Sequence, residues 1–325
     1  MADKCLRLTL IVPVFNAERH LPEFLDSLVK QSRFPDEIIF VNDGSKDRSL
    51  QILTEFSWGK PQVRIIDQEN VGAGKARNRA IDAASFDLIG FADADDILKP
   101  RIFETICSEF DEQPDLEVVV VNGQSFWSDG REGGSMIRSA SSQRRIDGQT
   151  WITERLNAKN FDHYAWLYYV RRDFLQRHEI RFSEGVGHED VLWVTQLVLF
   201  AECLAFINEE LYKYRQRDYA IEHVPLRSRV ADLESAIFNT MGIANLLRSL
   251  PLRKATFEQL RQELINGGCS KSHEFRRLAD KETRKMIAAS MLRSNWFDQL
   301  WANAKGLKEH FKVLKAWLRT KRASI

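Results

Sequence analysis

Short apolar segments alternate with amphipathic segments through most of the first 220 residues. The apolar segments are hydrophobic on both faces and end in polar or turn residues, as buried parallel strands do. The segments between them repeat their apolar residues with a helical period. This order predicts an α/β fold with a mostly parallel central sheet and helices on both faces. The predicted strands are 6–14, 37–42, 63–67, 87–92, 116–123 and 205–214, and the predicted helices are 18–31, 46–56, 74–84, 101–112, 151–157, 172–178 and 191–200.

The pattern changes in two places. Residues 128–148 are rich in Ser, Gly and Arg and have no clear period, so we predict a long loop or an irregular hairpin there. From residue 226 onward the pattern is helical, with Pro225 and Pro251 as boundaries and Gly267-Gly268 as a break. The chain is therefore expected to hold an α/β domain over 1–222 and a helical C-terminal region over 223–325.

Charge and composition exclude some classes of protein. The 325 residues include 47 basic and 46 acidic side chains, so no overall positive field favours nucleic acid as a partner. The N-terminus enters a strand-like run without the features of a signal peptide, and the four cysteines are scattered singly. No apolar run reaches the roughly eighteen residues needed to cross a bilayer. These features predict a cytoplasmic protein that does not span a membrane.

Three aspartates follow one predicted strand, in the sequence FADADD: Asp93, Asp95 and Asp96. Carboxylates held together at the end of a buried strand repel one another and lose hydration, so they need a cation or hydrogen-bond donors nearby. Mg²⁺ or Mn²⁺ meets this need with one or two carboxylates and takes its other ligands from water and substrate phosphates. The alternative is that these acids cap the helix that begins near Pro100.

Two other strand ends carry polar or aromatic residues. In EIIFVNDGS, Asp43 follows the second strand, where a carboxylate can accept a base N–H or a ribose hydroxyl. A capped turn is the alternative for that segment. The first strand ends in VPVFNAE, in which Pro13 fixes the backbone, Phe15 offers a ring face to a base and Glu18 begins a helix. A single aromatic residue at such a position could equally belong to the core.

The segment NVGAGKARNRA has some features of a phosphate-binding loop. It lacks the third glycine of a dinucleotide fingerprint, and Lys75 is followed by Ala76 rather than by the Ser or Thr of a P-loop. A glycine turn therefore leads into a helix whose first turns are basic. Arg77 on this helix can meet a phosphate or a base carbonyl.

In this order, the four motifs resemble those of family-2 glycosyltransferases with the GT-A fold. In that family P-x-[YF]-N, D-G-S, A-R-N and D-x-D-D follow successive strands, and here they are residues 13–16, 43–45, 76–78 and 93–96. The resemblance fades in 128–148 and after Tyr219. It implies a Rossmann-like GT-A catalytic domain over 1–222, with a nucleotide-binding half over about 1–123 and an acceptor half over about 124–222.

The resemblance also implies roles for individual residues. The family places an acid pair before an aromatic residue at the start of a helix, and GHEDVLW supplies it. Asp190 is then the general base and Asp95 the main metal ligand. The implied nucleotide-binding residues are Pro13, Phe15, Glu18, Asp43, Arg77 and Asp93, and the implied donor or acceptor contacts are Asp96 and Glu189. Without the family, Glu189 and Asp190 would be ordinary acids of a helix N-terminus.

These roles imply an inverting, hexosyltransferase-type enzyme that uses Mn²⁺ or Mg²⁺. One base and no second carboxylate nucleophile suit inversion. The expected donor is a nucleotide diphosphate sugar, with UDP favoured because the pocket pattern resembles that of UDP-sugar users. The expected acceptor is a saccharide or a lipid-linked saccharide in polysaccharide, lipopolysaccharide or capsule assembly.

Two other functions stay open at this stage. A catalytically silent relative that acts as a scaffold or binding partner is expected to have lost Asp95 or Asp190, and both are present. A metal-dependent nucleotidyltransferase is expected to have a glycine-rich basic loop directly after the first strand, and VPVFNAE has none. Arg215, Arg217 and His223 are further candidates for phosphate or metal contact, with a solvated basic loop as the alternative.

The end of the chain has the pattern of an amphipathic helix. Apolar residues recur from Trp296 at Leu300, Leu307, Phe311, Leu314 and Leu318, beside Lys305, Lys308, Lys312, Lys315, Arg319 and Arg322. Such a helix could lie on the inner leaflet of the plasma membrane, near a lipid-linked acceptor. The alternative is a helix packed on the catalytic domain or on another copy of the chain, with its lysines in solvent.

Overall fold

A computed structural model describes residues 6–56, 62–138, 140, 142–216, 226–274, 285, 288, 291–292 and 294–324. For 226–230, 233, 270–274, 307, 311 and 323–324 it describes the backbone alone.

A ten-stranded mixed sheet forms the centre of the molecule. Its strands are β1 (Leu8–Val14), β2 (Glu37–Asp43), β3 (Gln62–Gln68), β4 (Leu88–Phe91), β5 (Ile97–Leu98), β6 (Val118–Trp127), β7 (Glu132–Ser135), β8 (Gln143–Ile146), β9 (Tyr168–Arg171) and β10 (Leu204–Gln216). The order along the sheet is β3-β2-β1-β4-β9-β6-β10-β5, with β7 beside β6 and β8 beside β10. The long pairings β1–β2, β2–β3, β1–β4 and β6–β10 are parallel, and the shorter ones are antiparallel.

Helices whose bounds lie within the described residues connect these strands and form much of the C-terminal region. They are α1 (Leu21–Val29), α2 (Ser49–Glu55), α3 (Ala73–Ala83), α4 (Ile102–Glu112), α5 (Gly148–Asn157), α6 (Arg172–Arg177), α7 (Asp190–Phe200), α8 (Leu226–Ser249), α9 (Lys254–Glu274), α10 (Trp296–Asn303) and α11 (Gly306–Ser324), with a 3₁₀ turn at Ala165–Leu167. The predicted α/β fold with a helical C-terminal region is confirmed, and the element bounds differ by a few residues from those expected.

Burial explains why the strands read as continuous apolar runs. All seven residues of β2 are buried, and six of the seven in β1 are buried, because helices cover the sheet. Aromatic rings continue this core into the second half of the chain. The ring of Phe91 on β4 lies 5.3 Å from Trp193 of α7, and Trp193 stacks on Phe182 at 4.6 Å. Helix α7 is therefore fixed to the end of β4.

The segment 128–148 begins with the turn and second strand of an irregular hairpin, one of the two forms that its composition predicted. It contains β7 and β8, which do not pair with each other, because β7 pairs with β6 and β8 with β10. Sequence periodicity also missed β5 and β9, which have two and four residues. Such short strands form because neighbouring backbone groups are available, and they have too few residues to show a period.

Strand β10 is irregular where it passes β6. The register shifts between Ile207 and Glu210, and again between Glu210 and Tyr212, so extra residues on β10 are accommodated by β-bulges. After these shifts Tyr212 lies opposite Gly123. Trp166 fills the space above Gly123 and stacks on Tyr212, with 4.0 Å between the ring centroids.

The C-terminal helices pack against one another and against the α/β domain. Thr153 of α5 hydrogen-bonds Thr256 of α9 at 2.9 Å. Arg261 of α9 donates to the carbonyl of Asn303 at 2.9 Å and is also bound to Glu309 of α11. The predicted break at Gly267-Gly268 is wrong, since α9 runs through both residues. Gly268 lies where α9 packs closely against Leu300 of α10, so its missing side chain serves packing rather than chain reversal.

Pro225 lies outside the described residues, and Pro251 lies between α8 and α9 as predicted. Within the described ranges, no helix has both the length and the apolar character required to cross a bilayer.

Two glycine substitutions are expected to change stability in opposite directions. A Cβ at Gly148 would lie 1.7 Å from the carbonyl oxygen of Val198, so Gly148→Ala should lower the free energy of unfolding by about 1–3 kcal/mol or more. Gly267 is helical and a Cβ there would meet no atom within 4 Å, so Gly267→Ala should raise it by about 0.5–1 kcal/mol. Urea unfolding of both variants checks this. Equal effects of the two changes would show that the close approach of α5 and α7 is not tight.

Candidate active site

A cleft of about 810 Å³ opens at the carboxyl ends of β1, β2 and β4. Parallel strands place the residues that follow them at the same edge of a sheet, which is where ligands bind in open α/β folds. The lining residues include Pro13, Phe15, Asn16, Arg19, His20, Asp43, Asn70, Gly72, Arg77, Asp93, Asp95, Ser128, Arg215 and Gln216. The four motifs identified in the sequence therefore meet in one cavity.

Reciprocal hydrogen bonds join the loops after β1 and β2. The amide of Asn16 donates to the Ser45 hydroxyl at 3.1 Å, and the Asn16 side-chain oxygen accepts from the amide of Lys46 at 2.8 Å. Asp47 accepts from the amide of Glu18 at 3.0 Å, and Glu18 accepts from the amide of Arg48 at 2.9 Å. The first two motifs thus form one rigid wall of the cleft.

Asp43 is buried and holds the loop that enters α3. Its Oδ1 accepts from the side chain of Gln68 at 2.8 Å and from the amide of Val71 at 2.9 Å, while its Oδ2 accepts from the amide of Gly72 at 2.9 Å. A carboxylate offers about four lone-pair directions. One acceptor direction on Oδ2 is therefore left for a ligand in the cleft.

The A-R-N motif joins α3 to the segment before α7. Asn78 donates to the carbonyl of Phe182 at 2.9 Å and accepts from its amide at 3.0 Å. Gly74 allows this approach, because a Cβ there would lie 2.3 Å from the carbonyl oxygen of Ser183. These contacts position the acid pair of Glu189 and Asp190 beside the first turns of α3.

Arg77 is buried among these acids. It donates to Asp93 at 2.9 Å and to Glu189, and its guanidinium carbon lies 5.4 Å from the centre of the Phe182 ring. Burial acts to lower the pKa of Arg77, but the charges of Asp93, Glu189 and Asp190 raise it above the ordinary value. The positive charge of Arg77 thus lies near the carboxylates of Asp93, Glu189 and Asp190.

The negative charge of these carboxylates exceeds the positive charge of Arg77, and the pKa values of Asp190 and Asp93 are raised. Burial, followed by the charge of Glu189, raises the pKa of Asp190 to about 7, although Arg77 opposes the shift. Burial also raises the pKa of Asp93, against the effect of Arg77. Asp190 is the first residue of α7, and at pH 7 it can therefore exist in both its ionised and its neutral form.

The aspartates of the D-x-D-D segment lie in two different environments, the cleft and the core. Asp95 lines the cleft, whereas Asp96 is 1% exposed. Asp96 accepts from the Tyr212 hydroxyl and from the amide of Arg215, both at 2.7 Å. Burial raises the pKa of Asp96 well above its ordinary value, and the charges of Asp93 and Asp95 act in the same direction.

Arg215 closes the opposite side of the cleft. Its Nε donates to the carbonyl of Asp95 at 2.6 Å, and its terminal nitrogens donate to Glu23 at 2.5 Å and to Ser128 at 3.3 Å. The guanidinium also lies over the ring of Phe126, at 4.5 Å from its centre. Arg215 therefore fixes the backbone of Asp95. The other two candidates for phosphate or metal contact, Arg217 and His223, lie outside the described residues.

The structure brings most of the predicted site residues together. Pro13, Phe15, Asp43, Arg77, Asp93 and Asp95 line the cleft. Glu18 instead faces the start of α2, where it pairs with Arg48. Asp96 lies beneath the cleft, and Glu189 is bound to Arg77 behind its lining. These three residues and Asp190 are not among the residues that line the cleft, and their roles at the donor or acceptor stay predictions.

Several lining residues were missed by sequence reasoning. His20 lies in the cleft, and burial, with Arg215 and Arg19, lowers its pKa. Asn70 and Ser128 also line the cleft. Asn16 and Ser45 belong to the first two motifs, but their spacing gives no indication of the hydrogen bonds that join the two loops. Tyr212 was missed because its partner Asp96 is 116 residues away.

The donor set is compatible with a divalent cation that substrate phosphates help to bind. Within the described residues, no three His, Cys, Asp or Glu side chains cluster as a complete metal site. Asp95 and Asp93 nevertheless line the same cleft, and Mg²⁺ or Mn²⁺ needs only one or two protein carboxylates when phosphate oxygens complete its shell.

Two curated relatives are similar in sequence to this chain, over different fractions of their own length. The chain is 27% identical over 321 residues to "Uncharacterized glycosyltransferase YibD" of Escherichia coli (strain K12), which covers 97% of this chain and 92% of the relative. It is 28% identical over 219 residues to "Minor teichoic acid biosynthesis protein GgaB" of Bacillus subtilis (strain 168), which covers 65% of this chain and 23% of the relative.

Solved structures support the GT-A fold. S. aureus TarS 1-349 in complex with UDP-GlcNAc matches with a TM-score of 0.74 at 20% identity, over 98% of this chain and 89% of that chain. The mannosyltransferase PcManGT from Pyrobaculum calidifontis in complex with GDP-Man and Mn2+ matches with a TM-score of 0.56 at 14% identity, over 97% and 87%. The fold predicted from the motifs is confirmed.

The sequence model of the family described as "Glycosyl transferase family 2" matches residues 9–177. This match covers all four strand-end motifs that meet in the cleft. The chain belongs to glycosyl transferase family 2.

Proposed function

We propose that this protein transfers a sugar from a nucleotide diphosphate sugar to an acceptor hydroxyl, with inversion at the anomeric carbon. The observation that carries the proposal is the meeting of the motif residues Asp43, Arg77 and Asp95 in one cleft. Asp190 does not itself line this cleft, but it lies within electrostatic range of the lining residues Arg77 and Asp93, and its pKa is raised to about 7. A silent scaffold would not need this arrangement of a base beside a nucleotide-sized cavity.

Asp190 is the proposed general base. In its ionised form it takes the proton from the acceptor hydroxyl while the hydroxyl oxygen attacks the anomeric carbon and the bond to the diphosphate breaks. A base is most effective when its pKa is close to the working pH, and general-base catalysis contributes about 10²–10⁴ in rate. The pKa of about 7 supports this role for Asp190.

The hydrogen bonds of Asp43 favour a base that offers one ring N–H. Three of its acceptor directions are taken by Gln68, Val71 and Gly72, which leaves one on Oδ2. Uracil presents one such N–H at its pairing edge, whereas the corresponding nitrogen of cytosine is an acceptor. Phe15 is 52% exposed beside this point and can cover the face of the base. Together they support UDP as the nucleotide.

Asp95, with Asp93 nearby, would hold Mn²⁺ or Mg²⁺ together with the donor diphosphate. When bound, such an ion neutralises the charge that develops on the leaving diphosphate. The role of Arg77 is to keep Asp93 and Glu189 in place, and Arg215 fixes the backbone of Asp95.

The proposed acceptor is a saccharide or lipid-linked saccharide in the assembly of a surface polysaccharide. Family membership and the teichoic acid function in the name of the Bacillus relative support this class of acceptor. The cytoplasmic location expected from the sequence stays a prediction.

Removal of the Asp95 carboxylate should reduce the dependence of UDP affinity on Mn²⁺. We expect UDP to bind the wild-type protein more tightly with Mn²⁺ than with a chelator, and CDP to bind more weakly than UDP. Asp95→Asn should weaken Mn²⁺-dependent UDP binding by at least about tenfold, as loss of support to a metal does. Isothermal titration calorimetry measures each affinity, with Asp26→Asn on α1 as an exposed control. Failure of every nucleoside diphosphate to bind the wild type would sink the donor site.

The pH dependence should report Asp190. Its carboxylate must be ionised to act as base, so kcat/KM should rise as pH increases through about 7. Asp190→Asn should lower kcat by about 10²–10⁴ and remove this limb of the profile, while UDP affinity stays within about twofold. Asp173→Asn, an exposed acid at the start of α6, is the matched control. A profile that is unchanged in Asp190→Asn would show that another group is the base.

A further inference from the structure

Helix α11 has an apolar surface on two sides. Val313, Ala316 and Thr320 are buried on the side that packs toward α9. On another side Leu314 is 37% exposed and Leu318 is 41% exposed. Packing within the chain therefore explains one apolar side of this helix and leaves the other in contact with solvent.

The exposed side continues onto α10. His310, Leu314 and Leu318 are four residues apart and therefore form one row along α11. The ring of Trp301 lies 4.6 Å from that of His310 and is itself 47% exposed. We call Trp301, His310, Leu314 and Leu318 the outer row.

Positive charge accompanies the outer row. Helix α11 carries six basic residues and one acid, although the whole chain has a net charge of only +1. The acid, Glu309, is bound to Arg261 on the packed side of the helix. The basic residues are Lys308, Lys312, Lys315, Arg319, Lys321 and Arg322. The helix thus combines exposed apolar residues with a strong local excess of positive charge.

We propose that the outer row docks α11 on an anionic lipid surface. Leucines can enter the boundary between headgroups and acyl chains, Trp301 suits the same depth, and the basic residues then meet lipid phosphates. Electrostatic attraction to anionic lipid increases with each basic residue close to the surface. The helix would lie in the plane of the membrane.

A second copy of the chain fits the same surface less well. In a two-fold symmetric dimer the same patch meets itself, so the six basic residues of each copy would be brought together. Like charges at an interface disfavour such an association. Anionic lipid is the partner that satisfies both the exposed leucines and the charge.

Sedimentation of the full chain with vesicles tests the proposal. We expect the wild type to bind phosphatidylcholine vesicles that contain phosphatidylglycerol and to remain in solution with phosphatidylcholine alone. Leu314→Ser/Leu318→Ser removes the apolar residues, and Lys315→Glu/Arg322→Glu reverses two charges. Each double variant should lower the partition coefficient by about tenfold or more.

Helix α1 offers a matched control, since Val29 is 42% exposed and the side chain of the adjacent Lys30 is 68% exposed. Val29→Ser/Lys30→Glu makes one apolar and one charge change far along the chain from α11, and should bind vesicles as the wild type does. UDP titration of every variant keeps the result separate from the donor site. Unchanged UDP affinity is expected throughout, because the outer row has no residue in the cleft.

Three results would overturn the proposal. The first is a wild-type protein that does not bind anionic vesicles at low ionic strength. The second is a set of α11 variants that bind vesicles as tightly as the control does. The third is a dimer, seen by analytical ultracentrifugation without lipid, that dissociates in Leu314→Ser/Leu318→Ser, since the outer row would then be covered by another copy.

Discussion

The buried guanidinium of Arg77 is the interaction on which the site depends. It places a positive charge between Asp93, which follows β4, and Glu189, at the start of α7. Loss of one partner of a buried ion pair leaves an uncompensated charge and is strongly destabilising. The two halves of the α/β domain are therefore joined by the same contact that sets the charge around Asp190. Stability and the proposed catalytic chemistry are therefore coupled at this residue.

The second half of the chain supports the cleft from the other side. Asp96 accepts hydrogen bonds from Tyr212 and from the Arg215 amide, and Arg215 in turn holds the Asp95 carbonyl. Trp166 stacks on Tyr212 and fills the space above Gly123. The aspartate turn is thus clamped by β10 before any ligand arrives. Such preorganisation reduces the reorganisation needed when a charged ligand binds.

The sequence predicted which strand ends carry chemistry, because parallel strands bring their carboxyl ends together whatever the details of the fold. Pro13, Phe15, Asp43, Arg77, Asp93 and Asp95 line one cleft for this reason. The sequence could not show where a side chain turns after its strand ends. Glu18 faces Arg48 and Asp96 faces Tyr212, since the nearest donor decides the direction of each carboxylate. The link of Arg77 to Glu189 spans 112 residues, which no local pattern records.

The bulges of β10 restrict where residues can be inserted into or deleted from the chain. Successive residues of a strand point to opposite faces, so a shift of one residue reverses every side chain beyond it. The irregular segment between Ile207 and Tyr212 sets the phase in which Tyr212 meets Asp96. A single codon lost or gained there would turn Tyr212 away, whereas the same change at the exposed turn near Gly130 would alter only a surface loop. Tolerance to insertion and deletion should therefore differ sharply between these two segments.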